Sequence, residues 1–149
     1  MQTIRLTKEF KFEMAHALKG YDGMCRNIHG HSYELLVTVI GKPVADKTSV
    51  KLGMVMDFGD LKKLVRESIV DEFDHALVLS RDSADDFKPD AEMFGRTILV
   101  DYQPTSENML IDFAARLINL MPIDVKLHHL LLRETVTSYA EWFAEDNKK

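Results

Sequence analysis

The stretch Cys25-Arg26-Asn27-Ile28-His29-Gly30-His31 holds the chain's one cysteine and two of its six histidines. Thiolate and imidazole bind metals of the zinc type and exchange protons near neutral pH. His29 and His31 are two positions apart, so on a strand both rings point to one face of the sheet. His16 ends an earlier strand-like phrase, Phe12-Glu13-Met14-Ala15-His16. If the two strands are neighbours, three imidazoles meet. Three protein ligands and one open position is the pattern of a catalytic zinc, whereas structural sites usually close with four ligands. Gly30 between the pair constrains neither ring. His128-His129 makes the contrast: adjacent strand residues face opposite ways and do not chelate as a pair.

Cys25 precedes His29 by four positions. Its thiol could be a fourth ligand, a proton-transfer group with a lowered pKa, or an inert packed residue. Asp74-His75, in Phe73-Asp74-His75-Ala76-Leu77, closes a helical stretch. An aspartate orienting a histidine beside a thiol is the generalised triad arrangement. Favourable placement of an imidazole at a helix C-terminus accounts for the dipeptide equally well.

The elements that must carry these residues are legible from periodicity. Residues 4–14 alternate as a strand, and 32–41 is rich in β-branched and aromatic residues before the turn at Gly41-Lys42-Pro43. Residues 53–58 read as a short buried strand. A helix follows, with Leu61, Leu64, Val65, Ile69 and Phe73 at helical spacing. Residues 80–95 are polar and loop-like, and 97–100 reads as a strand. A second helix runs from Ser106 to about Met121, and strands over 124–133 and 135–143 end the chain. Short links between strands imply a mainly antiparallel sheet, hence an α+β fold with two helices packed on one face.

At 149 residues, with 46% hydrophobic and 29% charged residues, one domain over 1–149 is expected. The formal charge of −5 argues against general nucleic-acid binding. No apolar run reaches membrane-spanning length, and the N-terminus alternates charge and hydrophobe unlike a targeting peptide. A single cysteine asks for no oxidising compartment, so a cytoplasmic, small-molecule enzyme with no membrane partner is the expectation.

Six phrases follow one another along the chain: Phe12-x-x-Ala15-His16, Cys25-x-x-x-His29-Gly30-His31, Gly53-Met54-Val55 with Asp57-Phe58, Asp74-His75 with the apolar run Ala76-Leu77 after it, Pro104-Thr105-x-Glu107-Asn108, and Glu134-Thr135. The ordered set resembles the family of 6-pyruvoyltetrahydropterin and 6-carboxytetrahydropterin synthases over residues from about 5 to 140. The resemblance implies a tunnelling fold: a four-stranded antiparallel sheet with two helices on one face, sheets joined into an oligomeric barrel as trimers and hexamers. It implies one zinc per subunit on His16, His29 and His31, and proton transfer by Cys25, Asp74 and His75, often assembled across a subunit boundary. Glu134 would anchor the pterin ring, with Thr105 and Glu107 lining its pocket. The substrate implied is 7,8-dihydroneopterin triphosphate. Three residues between Cys25 and His29 resemble the bacterial queuosine-pathway enzyme, which forms 6-carboxytetrahydropterin; a 6-pyruvoyl product and a non-catalytic zinc scaffold are the alternatives. The long acidic 80–103 segment departs from compact bacterial members.

Overall fold

The computed structural model describes residues 1–86 and 92–148. Six strands form one sheet: β1 (Ile4–His16), β2 (His29–Gly41), β3 (Ala76–Ser80), β4 (Thr97–Val100), β5 (Val125–Thr135) and β6 (Ser138–Phe143), in the order β4-β3-β1-β2-β5-β6. β1 and β2 pair antiparallel along their full length, from Ile4 opposite Gly41 to His16 opposite His29. β2–β5 and β5–β6 are also antiparallel. The fold is α+β as the residues imply, but the sheet has six strands rather than four, and β3 runs parallel to both β1 and β4.

Two strand expectations change. Residues 53–58 form no strand. Gly53 takes a left-handed φ of 81°, and the segment closes on Val44 through two backbone hydrogen bonds of 2.9 Å before Asp57 caps a helix. Only Val55 of that run is buried in the core. The strand instead follows the helix, as β3. Parallel strands need a crossover of a dozen or more residues, and the connection over 81–96 supplies it. That requirement accounts for the length of the polar segment, of which residues 87–91 lie outside the described residues.

The first helical run is α1 (Phe58–Val65), a π-helical turn over Arg66–Val70, and α2 (Asp71–Phe73). Ser68 Oγ donates to the Leu64 carbonyl at 2.7 Å, a back-bond that loosens the regular ladder. Arg116 from α3 (Ser106–Ile118) then donates to the Ser68 carbonyl at 3.1 Å. The two helical runs cover one face of the sheet. Leu61, Val65, Ile69, Phe73, Met109, Phe113 and Leu117 pack on Phe12, Leu35, Val37, Leu130 and Leu132 in a single cluster. Burying each such side chain contributes about 1.5–3 kcal/mol. No helix among the described residues is long and apolar enough to cross a membrane.

Candidate metal centre and its surroundings

Strand pairing decides where the histidines meet. His16 lies opposite His29, and Met14 opposite His31, so all three imidazoles share the helix-covered face at one end of the β1–β2 pair. Phe12 and Tyr33 stack beneath them with ring centroids 5.2 Å apart. His16 Nδ1 donates to the Pro104 carbonyl at 2.7 Å, and His29 Nδ1 donates to the Asn27 carbonyl at 2.7 Å. A carbonyl only accepts, so both Nδ1 atoms carry the proton, and each ring in its neutral form has its lone pair on Nε2. Those two Nε2 atoms stand 3.0 Å apart. Two lone pairs at that separation repel unless a cation lies between them.

Glu134 completes the cluster. Its Oε1 lies 3.1 Å from His31 Nε2 and 3.4 Å from His16 Nε2, the first pair at ion-pair distance but off hydrogen-bond alignment. One donor atom from each of His16, His29, His31 and Glu134 lies within 4.8 Å of all the others. Zinc bonds of about 2.0–2.1 Å in a tetrahedron put ligand atoms about 3.3–3.4 Å apart. Three of the six separations, 3.0, 3.1 and 3.4 Å, lie near that edge, and three imidazoles with one carboxylate suit zinc's preference for N and O ligands. The residues fit the ion.

The electrostatics agree. Burial lowers the pKa of His31, and the neighbouring His16 and His29 add to the shift against the opposing charge of Glu134. The Glu134 carboxyl lies below its ordinary value, through the closeness of His16 first, with His31 and Ser106 adding against the opposing cost of burial. Tyr33 is pushed above its ordinary value by burial, then by Glu134 and Cys25, which keeps the phenol protonated. His16 is 1% exposed and Glu134 28%, so the cluster is closed beneath and open on the Glu134 side.

Each expected site residue has a definite place. Cys25 sits half-buried in the short helical turn Met24–Arg26, near enough for its charge to act on Tyr33. Asp74 and His75 form the turn between α2 and β3. Their side chains pair at 3.1 Å, and His75 adopts a left-handed φ of 61°, a conformation that costs about 1–3 kcal/mol for a residue with a side chain. His75 borders a cavity of about 430 Å³ with Glu13, Gly30, Ser32 and Arg96, which His31 at the strand end also lines. Glu13, Gly30 and Ser32 have the opposite strand parity from His16, His29 and His31. The Asp74–His75 pair and the histidine cluster of one chain therefore lie on opposite faces of the sheet, and the chain does not bring His75 to Cys25. Thr105 is the N-cap of α3, its Oγ1 accepting from Asn108 N at 3.3 Å. Glu107 is exposed in the first turn of α3 and makes no ion pair among the described residues. His129 pairs with Glu141 at 3.0 Å and stacks on Phe143, away from the cluster.

Sequence reasoning assigns Glu134 to the pterin and does not place it among the histidines. Leu130, Leu132 and Glu134 share parity, so alternation along β5 carries the carboxylate to the face that holds the histidines. Two supports also escape it: the Pro104 carbonyl on His16, and Ser106 Oγ, which donates to Glu134 Oε2 at 3.2 Å. The Pro-Thr-Ser start of α3 is the available signal, since a cap fixes the groups around it.

The family model for 6-pyruvoyl tetrahydropterin synthase matches residues 5–145. The chain belongs to that family. Among curated members of the synthase family, the 6-carboxy-5,6,7,8-tetrahydropterin synthase of Haemophilus influenzae is 34% identical over 143 residues, covering 93% of this chain and 97% of that protein. The protein of the same name from Rickettsia typhi is 33% identical over 93% and 99% of the two chains. The solved 6-pyruvoyl tetrahydropterin synthase of Caenorhabditis elegans superposes with a TM-score of 0.67 at 28% identity, covering 97% of each chain. A structure from Wolinella succinogenes shares the fold with a TM-score of 0.71 at 21% identity.

Proposed function

We propose that the protein converts 7,8-dihydroneopterin triphosphate to 6-carboxy-5,6,7,8-tetrahydropterin, releasing acetaldehyde and triphosphate, as a step in 7-deazapurine (queuosine) biosynthesis. The observation that carries this reading is the convergence of His16, His29, His31 and Glu134 in a chain similar end to end to proteins of that name. His16, His29 and His31 would hold one zinc per subunit, whose charge would acidify the hydroxyl-bearing side chain of the substrate. Glu134 turns from the histidines to accept hydrogen bonds from the amino-pyrimidine edge of the pterin, with Ser106 steadying its second oxygen. Thr105 and Glu107 border the ring. Cys25, as thiolate, takes a proton from the substrate side chain and returns it to a neighbouring atom. His75 relays that proton and Asp74 orients the imidazole. Triphosphate leaves by elimination, and the side-chain carbon–carbon bond then breaks with net uptake of a water.

Because Asp74–His75 and the cluster occupy opposite faces of one sheet, the complete site takes the pair from a neighbouring copy. The outer edge of β1 over residues 4–13 has no partner strand among the described residues, and neither has the outer edge of β6. Joining one to the other closes a barrel of copies, as a trimer or a hexamer of two trimers. The working compartment on this reading is the cytoplasm.

The test is product analysis of the zinc-loaded protein with dihydroneopterin triphosphate. Acetaldehyde and a 6-carboxy pterin support the reading; a 6-pyruvoyl product refutes it in favour of the activity named for the Caenorhabditis elegans relative. Cys25→Ala should abolish turnover with zinc content unchanged. Loss of zinc in that variant would make Cys25 a ligand, and no turnover by the unaltered protein would leave a zinc-binding scaffold.

A further inference from the structure

His75 holds a backbone conformation that side chains disfavour, and such positions persist only where their surroundings over-determine them. One restraint is β1: the His75 amide donates to the Glu13 carbonyl at 2.6 Å, and the Glu13 amide donates to Asp74 Oδ1 at 2.9 Å. The other comes from the 81–96 crossover. Arg96 Nη2 donates to the carbonyls of Asp71 at 3.0 Å, Glu72 at 3.1 Å and Asp74 at 2.8 Å. These are orphan carbonyls at the end of α2 and in the turn that follows it. The Arg96 carbonyl in turn accepts from the Leu77 amide at 3.1 Å. Arg96 thus grips both sides of His75, and the two residues line the same cavity.

We infer that Arg96 is a positioning residue for the Asp74–His75 pair, holding the turn that aims the imidazole into the 430 Å³ cavity. The inference rests on the proposed proton-relay role of His75. It also gives a use to the long polar segment, which returns the chain so that this cation reaches the end of α2. A purely structural helix cap would lower melting temperature without redirecting the imidazole. A positioning residue moves kcat and the His75 ring signals together.

The experiment compares the zinc-loaded protein with Arg96→Ala and Arg96→Lys. Turnover of dihydroneopterin triphosphate is measured beside the ring resonances of His75 in ¹H–¹⁵N spectra, assigned with a His75→Gln control. Arg96→Ala is expected to lower kcat about 10- to 100-fold, with KM within about twofold, and to move the His75 signals toward those of a free imidazole. Arg96→Lys, whose ammonium also offers several donors to the carbonyls, is expected to recover most of both. Arg96→Ala with His75 signals unmoved overturns the inference whether or not turnover falls. If the unaltered protein shows no turnover, the reaction proposed above fails, while the spectra still decide the placement of His75. Should Arg96→Ala not fold, Arg96→Lys decides: displaced His75 signals with kcat unchanged would overturn the inference.

Discussion

Glu134→Ala separates the two jobs open to this carboxylate. Its Oε1 stands 3.1 and 3.4 Å from two of the metal-facing nitrogens, close to the tetrahedral edge of about 3.3–3.4 Å, so it occupies the position of a fourth ligand. On the proposed mechanism it gives up that position and holds the pterin, leaving the three histidines to keep the metal. His16 and His29 are oriented by the Pro104 and Asn27 carbonyls, neither of which depends on Glu134. The zinc Kd of Glu134→Ala should therefore change by less than about tenfold, the lower bound for loss of an outer-shell partner. A hydrogen bond to a charged group is worth about 1.5–3 kcal/mol, so losing even one to the pterin weakens binding about 10- to 150-fold. Competition with a chromophoric zinc chelator reads the first quantity, and pterin fluorescence quenching reads the second. A zinc Kd raised 100-fold or more, with pterin binding to the metal-saturated variant unchanged, would refute the reasoning and make Glu134 a ligand.

Removing the metal should destabilise the fold. Binding at 100 to 1,000 times Kd contributes about 2.7–4.1 kcal/mol, so chelation should lower Tm by about 5–16 °C in calorimetry, at roughly 2–4 °C per kcal/mol for a domain of this size. Thr105→Ala removes the cap of α3, which costs about 0.5–2 kcal/mol; the expected fall in Tm is about 1–8 °C. The Asp74 carboxyl lies below its ordinary 3.8: burial opposes the shift, but the Glu13 amide, His75 and Arg96 outweigh it. A depressed carboxyl contributes stability that is full above 3.8 and lost as pH falls through the folded value. Asp74→Asn should therefore flatten the loss of stability below about pH 4 in acid–urea titrations, and an unchanged acid limb would contradict the pairing.

The sequence by itself determined the helix-covered core, since periodicity and side-chain size act locally: the Leu61-to-Phe73 stripe lies in the core, and the helix read from Ser106 to about Met121 runs over Ser106–Ile118. It also determined that His29 and His31 share one face, because alternation is local, while the β1–β2 register that sets His16 opposite His29 came from the fold. Only the tertiary structure decided the rest. β3 hid because a four-residue apolar run between a helix and a polar loop becomes a strand only when β1 and β4 are there to pair with it. Glu134 joined the histidines because β5 pairs beside β2, a neighbour relation set by contacts far along the chain. The same holds for Asp74 and His75, which neighbour the cluster in the order of the motifs yet lie across the sheet from it. Adjacency along the chain states which groups are available; strand parity and the grip of Arg96 decide which way they face.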